Sequence, residues 1–538
     1  MGAEVDFKSI RQDVKKAREN RLFSSPPSPL IYIMPTSYSN LFFLGAGLIF
    51  CIVLHRRRQR NGLSRPPGPR GLPVIGNLLD IPKERSWLTY SEWAKTYGDI
   101  ISIEVFGQVI VVLQSPKAVR DLLDKKGAIY SDRPTLPFYE LAKWGWFLPM
   151  ARSDDQWRAG RRALERGLRP SSALQYRPMF KARTHELLQR LIAQSGNFKD
   201  DLEQYESATN MSIAYGYDVQ SNDDKFVKTA RDFVRMTQQA ALPGSMLVND
   251  LPFLKYLPDW LPGTGFKVLA KKSCELGEEV INGPLEFVKE AMSNGTAKLS
   301  LAVDALREVH TAKQERDLAI ALGSLHAAAS DSMVAVLSSL FLVLVLHPSV
   351  QEKAQKELDR VTGGTRLPDY EDRSSLPYLD ALCKELLRWQ MIAPLAFPHA
   401  TIEDDVYDGY FIPKGSLVMA NGWSMLHDPT QYPEPDTFKP ERHLNADGAF
   451  IDDPTMNTVF GFGKRICPGR HLVDQKLFIA VALVLSTLTF AKAKDANGNE
   501  IPVEGTFSGN ILNQPDPFQC SIVPRNQAAL QLITAAVE

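Results

Sequence analysis

From about Ser86 onward, apolar residues recur mainly at helical spacing, in long segments such as Phe180 to Ile192. Strand-like alternation is scarce. Its clearest instance is SIEVFGQVIVVLQ (Ser102 to Gln114), which predicts a hairpin with Gly107 at its turn. Two unbroken apolar runs, Val334 to Leu346 and Leu477 to Phe490, are too short for a bilayer and lack basic flanks, so both read as buried core helices. The pattern predicts a mainly α fold with small β-sheets, in a single large domain over 78–538, without internal repeats.

Ahead of this body the pattern changes. No charged residue occurs between Arg21 and His55, and Leu41 to Leu54 is almost wholly apolar before the basic cluster HRRRQR. A signal peptide would need a small-residue cleavage site after the run, whereas a basic cluster stops transfer. The reading is a tail at 1–37, a transmembrane anchor at 38–55 and a basic, proline-rich linker at 56–77, with a cleaved signal or a buried helix as the other readings. Six cations in the tail nearly balance the arginines behind the span. A chain starting at Met34 would lose those rivals, which makes Met34 a candidate natural start.

Composition narrows the class. Of 538 residues 44% are hydrophobic and 23% charged, which suits a globular chain with a large core. Lys plus Arg and Asp plus Glu are both 62, so no global field favours nucleic acid. The five cysteines are scattered without a CxxC pair, which fits a reducing compartment and sets structural zinc aside. No GxGxxG fingerprint follows a strand, so the chain offers no nicotinamide or flavin site of its own.

The candidate chemistry lies near the C-terminal end. FGFGKRICPGR (Phe460 to Arg470) spaces Phe, Gly, Arg, Cys and Gly as Phe-x-x-Gly-x-Arg-x-Cys-x-Gly. At average residue frequencies this arises by chance in roughly one chain in ten thousand. Glycines let backbone amides approach a sulfur and hold a thiolate against a metal. Upstream, KELLR puts Glu385 and Arg388 on one helical face, and FKPERHL supplies Arg442. WRAGR puts Trp157 and Arg161 on one side of a helix, and FPHATIEDD contains His399. A helix over Gly323 to Phe341 carries the acid–alcohol pair Asp331 and Ser332.

Together these segments, from about Arg65 to Arg525, resemble the cytochrome P-450 superfamily, and most of all fungal secondary-metabolism members similar to O-methylsterigmatocystin oxidoreductase. The resemblance implies heme b with Cys467 as the axial thiolate. Arg465, Trp157, Arg161 and His399 match the family's propionate-binding positions, and Phe460 opens the haem-binding loop. Asp331 and Ser332 stand where the family delivers protons to bound oxygen. Serine here replaces the usual threonine, while Ala329 and Met333 depart from the flanking glycine and threonine. By the same analogy Trp144 to Phe147, Leu325, Ala328, Leu395, Phe397 and the turn at Ser508 to Leu512 would line an apolar substrate pocket.

The implied function is monooxygenation of a lipophilic small molecule in secondary metabolism. Electrons would come from a separate NADPH-cytochrome P-450 reductase, docking near Arg158, Arg162, Lys464 and Arg470, with cytochrome b5 open as a second donor. A single-pass protein of the endoplasmic reticulum membrane, its catalytic domain facing the cytosol, follows from the anchor. A haem-thiolate isomerase or desaturase shares the cysteine site. A haem carrier or sensor would not need the acid–alcohol pair.

Overall fold

A computed structural model describes residues 62–193, 197–241, 245–509 and 511–535. The chain divides into two units, Met1–Ser64 and Arg65–Glu538. The expected tail with Met34, the anchor at 38–55 and the linker as far as residue 61 lie outside the described residues. The fold below is that of the second unit.

Among the described residues, twelve helices run eight residues or longer, with three small sheets. Helix α1 (Ser86–Tyr97) leads into the hairpin of β1 (Ile100–Val105) and β2 (Gln108–Leu113). Phe106 and Gly107 turn it with φ of 47° and 85°, the left-handed pair that matches strand twist. Then come α2 (Asp155–Leu168), α3 (Arg177–Ala193), α4 (Phe198–Tyr215), α5 (Lys225–Ala241) and α6 (Gly265–Ser293). The centre of the chain forms α7 (Ala312–Ala329), α8 (Ser332–Leu346), α9 (Pro348–Thr362) and α10 (Pro377–Trp389).

Short strands β3 (His399–Ala400), β4 (Asp405–Tyr407), β5 (Tyr410–Ile412) and β6 (Leu417–Ala420) follow. The chain closes with α11 (Arg470–Thr487), β7 (Leu488–Lys492), β8 (Cys520–Pro524) and α12 (Gln527–Thr534). The largest sheet has the order β1-β2-β6-β3, in which β6 joins β2 in parallel and β3 joins β6 antiparallel. His399 pairs with Val418 in that ladder, so its backbone is fixed by the sheet.

Two helices are apolar all round and therefore sink into the core. Every residue from Met333 to Val345 of α8 is buried, as is every residue from Leu477 to Leu485 of α11. The second apolar run ends its helix at Thr487 and continues as β7. By length and composition Ala312–Leu346 could cross a membrane, but 72% of its apolar window is buried within the protein. The stretch 65–77, read as part of a linker, lies along β1. Ser102 donates from its amide to Pro67 O at 2.8 Å and from its hydroxyl to Pro66 O at 2.6 Å. The Glu104 amide donates to Asn77 Oδ1 at 3.0 Å.

The segment between β6 and the cysteine loop is pinned to α10 by one carboxylate. Glu385 and Arg388 have no exposed side-chain surface. Arg388 donates to both oxygens of Glu385, at 2.7 and 2.9 Å, and to the carbonyls of Leu426 and Pro435. Arg442 Nε and the Lys439 amide also reach Glu385, each at 3.0 Å, and His443 adds a contact at 3.1 Å.

Burial alone would raise the Glu385 pKa, but the donors from Arg388 and His443 hold it at about 2. Removing one partner of a buried ion pair costs roughly 3–5 kcal/mol. Glu385→Ala is therefore expected to lose about that much in urea unfolding. Because the folded pKa lies below the usual 4.5, the native contribution is fully present above pH 4.5 and is lost as pH falls through about 2. An Ala variant with wild-type stability at pH 7 would contradict this account.

Candidate functional site

The loop before α11 is shaped by glycines. Gly461 and Gly463 have φ of 82° and 53°, and a Cβ on Gly463 would stand 2.2 Å from the carbonyl oxygen of Leu123. Only glycine lets the two backbones meet there. The loop then makes a short turn at Gly463–Arg465 and reaches Cys467, whose amide donates to Phe460 O at 2.8 Å. The Phe460 carbonyl thus closes the loop, while its side chain is half-buried.

Cys467 is a free, half-buried thiol just ahead of the N-terminus of α11. Burial pushes its pKa up. The amides of Gly469 and Arg470 and the charges of Arg161 and Arg470 act the other way. Amides and a helix N-terminus aimed at one sulfur are what a thiolate requires.

Beside this loop stands a cluster of buried cations. Arg465 donates to Ser131 O at 2.7 Å, Ala151 O at 2.8 Å, Ser153 Oγ at 2.9 Å and, more weakly, Leu148 O at 3.3 Å. Its guanidinium lies 4.0 Å from the centre of the Trp157 ring. Trp157 is positioned by α2, whose cap Asp154 accepts from the Trp157 amide at 2.8 Å. One turn on, Arg161 makes a long contact of 3.5 Å with Glu165; burial lowers its pKa, and Glu165 and Cys467 oppose the shift.

His399 is buried and bonds through Nδ1 to Tyr130 O at 2.8 Å. A carbonyl can only accept, so Nδ1 carries the proton. Burial and the charges of Arg133 and Arg465 keep its pKa well below the ordinary histidine value. The imidazole is therefore neutral in this setting, a constraint that the sequence alone did not reveal.

Arg133 is the member the sequence concealed. It is buried, and its donors go to Pro149 O, Phe397 O and Pro398 O at 2.8, 2.6 and 2.7 Å. Burial lowers its pKa, as does Arg465; Asp132 works against them. Arg465 is pushed down to about 10, by burial first and also by Arg161. Asp132 does not neutralise the group, since its oxygens accept from Arg152 at 2.8 Å and from the Ser153 amide at 2.8 Å. In SDRPTLP a single arginine has no period or partner to mark it.

The acid and the alcohol sit elsewhere. The expected helix over Gly323 to Phe341 is present but interrupted between α7 and α8 by a break at Ser330 and Asp331, both of which keep right-handed helical backbone. Ser330 Oγ donates back to His326 O at 2.8 Å, a bond known to bend helices. Asp331 Oδ2 accepts from the side-chain amide of Gln238 on α5 at 2.8 Å. Among the described residues, no hydrogen bond or ion pair joins Asp331 or Ser332 to the cysteine loop.

Of the expected pocket residues, Trp144 is core. It is 1% exposed and donates from Nε1 to Ser273 Oγ at 2.8 Å. Trp144, Trp146 and Phe147 all meet Phe233 of α5, with centroids 5.9, 5.0 and 5.4 Å away. Leu325, Leu395 and Phe397 are half-buried, and Ala328 is accessible. Of the expected docking cations, Arg158, Arg162 and Lys464 are exposed, whereas Arg470 turns inward and donates to Cys467 O at 3.1 Å.

The family model for Cytochrome P450 matches residues 66–522. Cytochrome P450 monooxygenase claR of Ampulloclitocybe clavipes is 38% identical, over 95% of this chain and 94% of the relative. Cytochrome P450 monooxygenase 98 of Postia placenta is 38% identical over 93% and 99%. Tryptamine 4-monooxygenase of Psilocybe cyanescens is 36% identical over 90% and 97%.

The loop geometry yields a direct expectation. Gly463→Ala must both take a left-handed backbone and displace a carbonyl, so it should cost at least about 1–3 kcal/mol and lower the yield of folded protein. Gly145→Ala, with open space around its Cβ and an ordinary φ, is the control. Equal melting temperatures for the two variants would refute the close approach.

Proposed function

The chain belongs to the cytochrome P450 family, and on that premise we propose that Cys467 ligates the haem iron of an enzyme that oxidises a lipophilic natural product. It is a monooxygenase, and haem held through a cysteine thiolate is the cofactor of its family. A redox partner and lipophilic substrates belong to the same chemistry.

The residues present suit that group. Arg133 and Arg465 are buried or half-buried beside His399 and Cys467 without a described carboxylate in hydrogen-bond contact, and Arg161 has only the long 3.5 Å contact with Glu165. Burying like charges together is costly unless an anion joins them, and the two propionates of haem are such anions. This convergence of unmatched cations beside an amide-ringed cysteine is the observation that carries the reading. Arg465, Arg161 and Trp157 would hold the propionate side, with Arg133 added; His399 would join them as a donor only with a second proton, on Nε2, and Phe460 would close the loop.

Haem iron held by a thiolate supplies the activation of molecular oxygen. The chain's own residues do the rest. Burial raises the Cys467 pKa, and the Gly469 and Arg470 amides oppose that shift, so they would support a thiolate once it binds iron. Asp331 takes a proton from solvent at a carboxylate oxygen, and the Ser332 hydroxyl passes it on, since an alcohol donates and accepts at one atom. Half-buried Leu325, Leu395 and Phe397, if they line the substrate pocket as the family resemblance implies, would exclude water and favour an apolar substrate.

Electrons would come from an NADPH-cytochrome P-450 reductase, with cytochrome b5 as a second donor, and exposed Arg158, Arg162 and Lys464 offer cations for docking. Besides the anchor at 38–55, exposed Phe253, Tyr256, Trp260 and Val268 support contact with the endoplasmic reticulum membrane. The tryptamine-oxidising relative makes indole amines part of the substrate panel, along with terpenes and polyketides.

The test uses full-length enzyme with reductase, NADPH and isotopically labelled dioxygen across that panel. One labelled oxygen in the product is expected, whereas an unlabelled product would favour an isomerase or desaturase. Cys467→Ala should abolish product and the red-shifted band of the reduced carbon-monoxide complex. A wild-type band in that variant would overturn the ligand assignment.

A further inference from the structure

The break between α7 and α8 is held from outside by a single side chain. Gln238, near the C-terminal end of α5, donates from Nε2 to Asp331 Oδ2 at 2.8 Å across 93 residues of sequence. The backbone of Asp331 belongs to α8, because its carbonyl accepts from the Ala335 amide at 3.1 Å. Its carboxylate thus ties α8 to a different helix. Ser330 is occupied by its bond to His326, and Ser332 Oγ makes no hydrogen bond to a described residue. Among the described residues, then, Gln238 is the one hydrogen-bond partner of the acid's side chain.

The chemistry of the partner matters. An arginine or lysine here would hold the carboxylate ionised, as charge-assisted pairs do. A neutral amide fixes Oδ2 without placing a charge beside the carboxylate. The helix that supplies the amide is itself seated by aromatic contacts, since Phe233 of α5 meets Trp146 at 5.0 Å and Phe147 at 5.4 Å. The α5 helix also packs on α7 and α6. A shift of α5 would therefore carry Gln238 away from Asp331.

We propose that Gln238 is a positioning residue for Asp331: its amide holds the carboxylate in one orientation at the helix break and makes proton delivery depend on the seating of α5. This rests on the reading of Asp331 as the proton-handling acid. Gln238 itself neither gives nor takes the proton, which enters at Asp331 from solvent and leaves toward Ser332. The amide acts only through geometry.

The experiment compares Gln238→Met, which keeps the length and removes the donor, with Gln238→Ala, Asp331→Asn, Asp331→Ala and the double variant Gln238→Met/Asp331→Ala. All are made in the full-length holoenzyme. Hydrogen exchange over residues 326–336 is read first, and needs no turnover. Gln238→Met and Asp331→Ala should each speed exchange at the break by about fivefold, the equivalent of one lost hydrogen bond, and the double variant should add nothing further. Additive effects, or exchange as in the wild type, would overturn the contact.

The second readout is hydrogen peroxide released per NADPH, with its solvent isotope effect, on the panel compound that takes up label. A severalfold rise in peroxide and a changed isotope effect are expected in Gln238→Met and Gln238→Ala, as in Asp331→Asn. If Asp331→Asn alters both quantities and the Gln238 variants alter neither, the positioning role is refuted. If Asp331→Asn alters neither, the acid assignment itself is wrong.

Discussion

A buried guanidinium without a carboxylate partner is among the more expensive groups a protein can hold, and this site is arranged around two of them. Arg465 and Arg133 are solvated by backbone carbonyls instead of by acids, drawn from 131–151 and from Phe397 and Pro398. Carbonyl oxygens satisfy the donors but leave the charge uncancelled, and burial lowers both pKa values, helped by Arg465 at Arg133 and by Arg161 at Arg465, while Asp132 works against both shifts. That residual positive charge is what an anionic cofactor edge can use. It also fixes architecture, because the segments lending those carbonyls cannot move without stranding a charge.

The same constraint explains why the cysteine loop has so little freedom. Arg465 lies two residues before Cys467, so its bonds to Ser131, Ala151 and Ser153 anchor the loop at one end. Gly463 rests against Leu123 and the Cys467 amide returns to Phe460. On the far side, the segment from Leu426 to His443 is clamped onto α10 through Glu385, whose two oxygens serve Arg388, Arg442, His443 and the Lys439 amide. Loop and clamp are adjacent in sequence, so strain in either would reach the sulfur. Both are built from several short bonds at once, which makes the thiol's position a property of the whole C-terminal half.

Much of this was legible beforehand, for reasons that differ by residue. The hairpin at Gly107, the two apolar core helices and the pairing of Glu385 with Arg388 follow from local period and spacing, which sequence displays directly. Trp157 and Arg161 likewise fall on one face of α2 as four-residue spacing requires. The rest depends on contacts made across long intervals. Arg133 meets Phe397 over 264 residues, and nothing in its neighbourhood announces a buried charge. His399 reads as a propionate donor in sequence, yet its Nδ1 proton is committed to Tyr130 and its charge is suppressed by two arginines. Trp144 looks like pocket lining until Ser273 is found on its indole nitrogen. The Ser330-Asp331-Ser332 run allows a helix-kinking polar pair as a second reading, but the geometry at the break depends on the hydroxyl of Ser330 and the distant Gln238.

The two sides of the site are held by unequal means. Around Cys467, Arg465 and Arg133 each have two or more short bonds to backbone, and backbone partners are fixed by strands, turns and helix ends. At the acid, one neutral side chain from another helix supplies the hold, and the alcohol beside it has no bond to a described residue. A single neutral hydrogen bond contributes about 1 kcal/mol net, so thermal energy can open it often, while a buried arginine bound to several carbonyls stays put. The arrangement therefore separates two requirements that conflict within one rigid body. On the proposed reading, a thiolate ligand at Cys467 would need a constant electrostatic setting, and a proton path through Asp331 would need a part that responds to the seating of α5. Replacing threonine by serine at 332 fits the second requirement, since a side chain without the β-branch gains rotamer freedom at the place where the helix is already open.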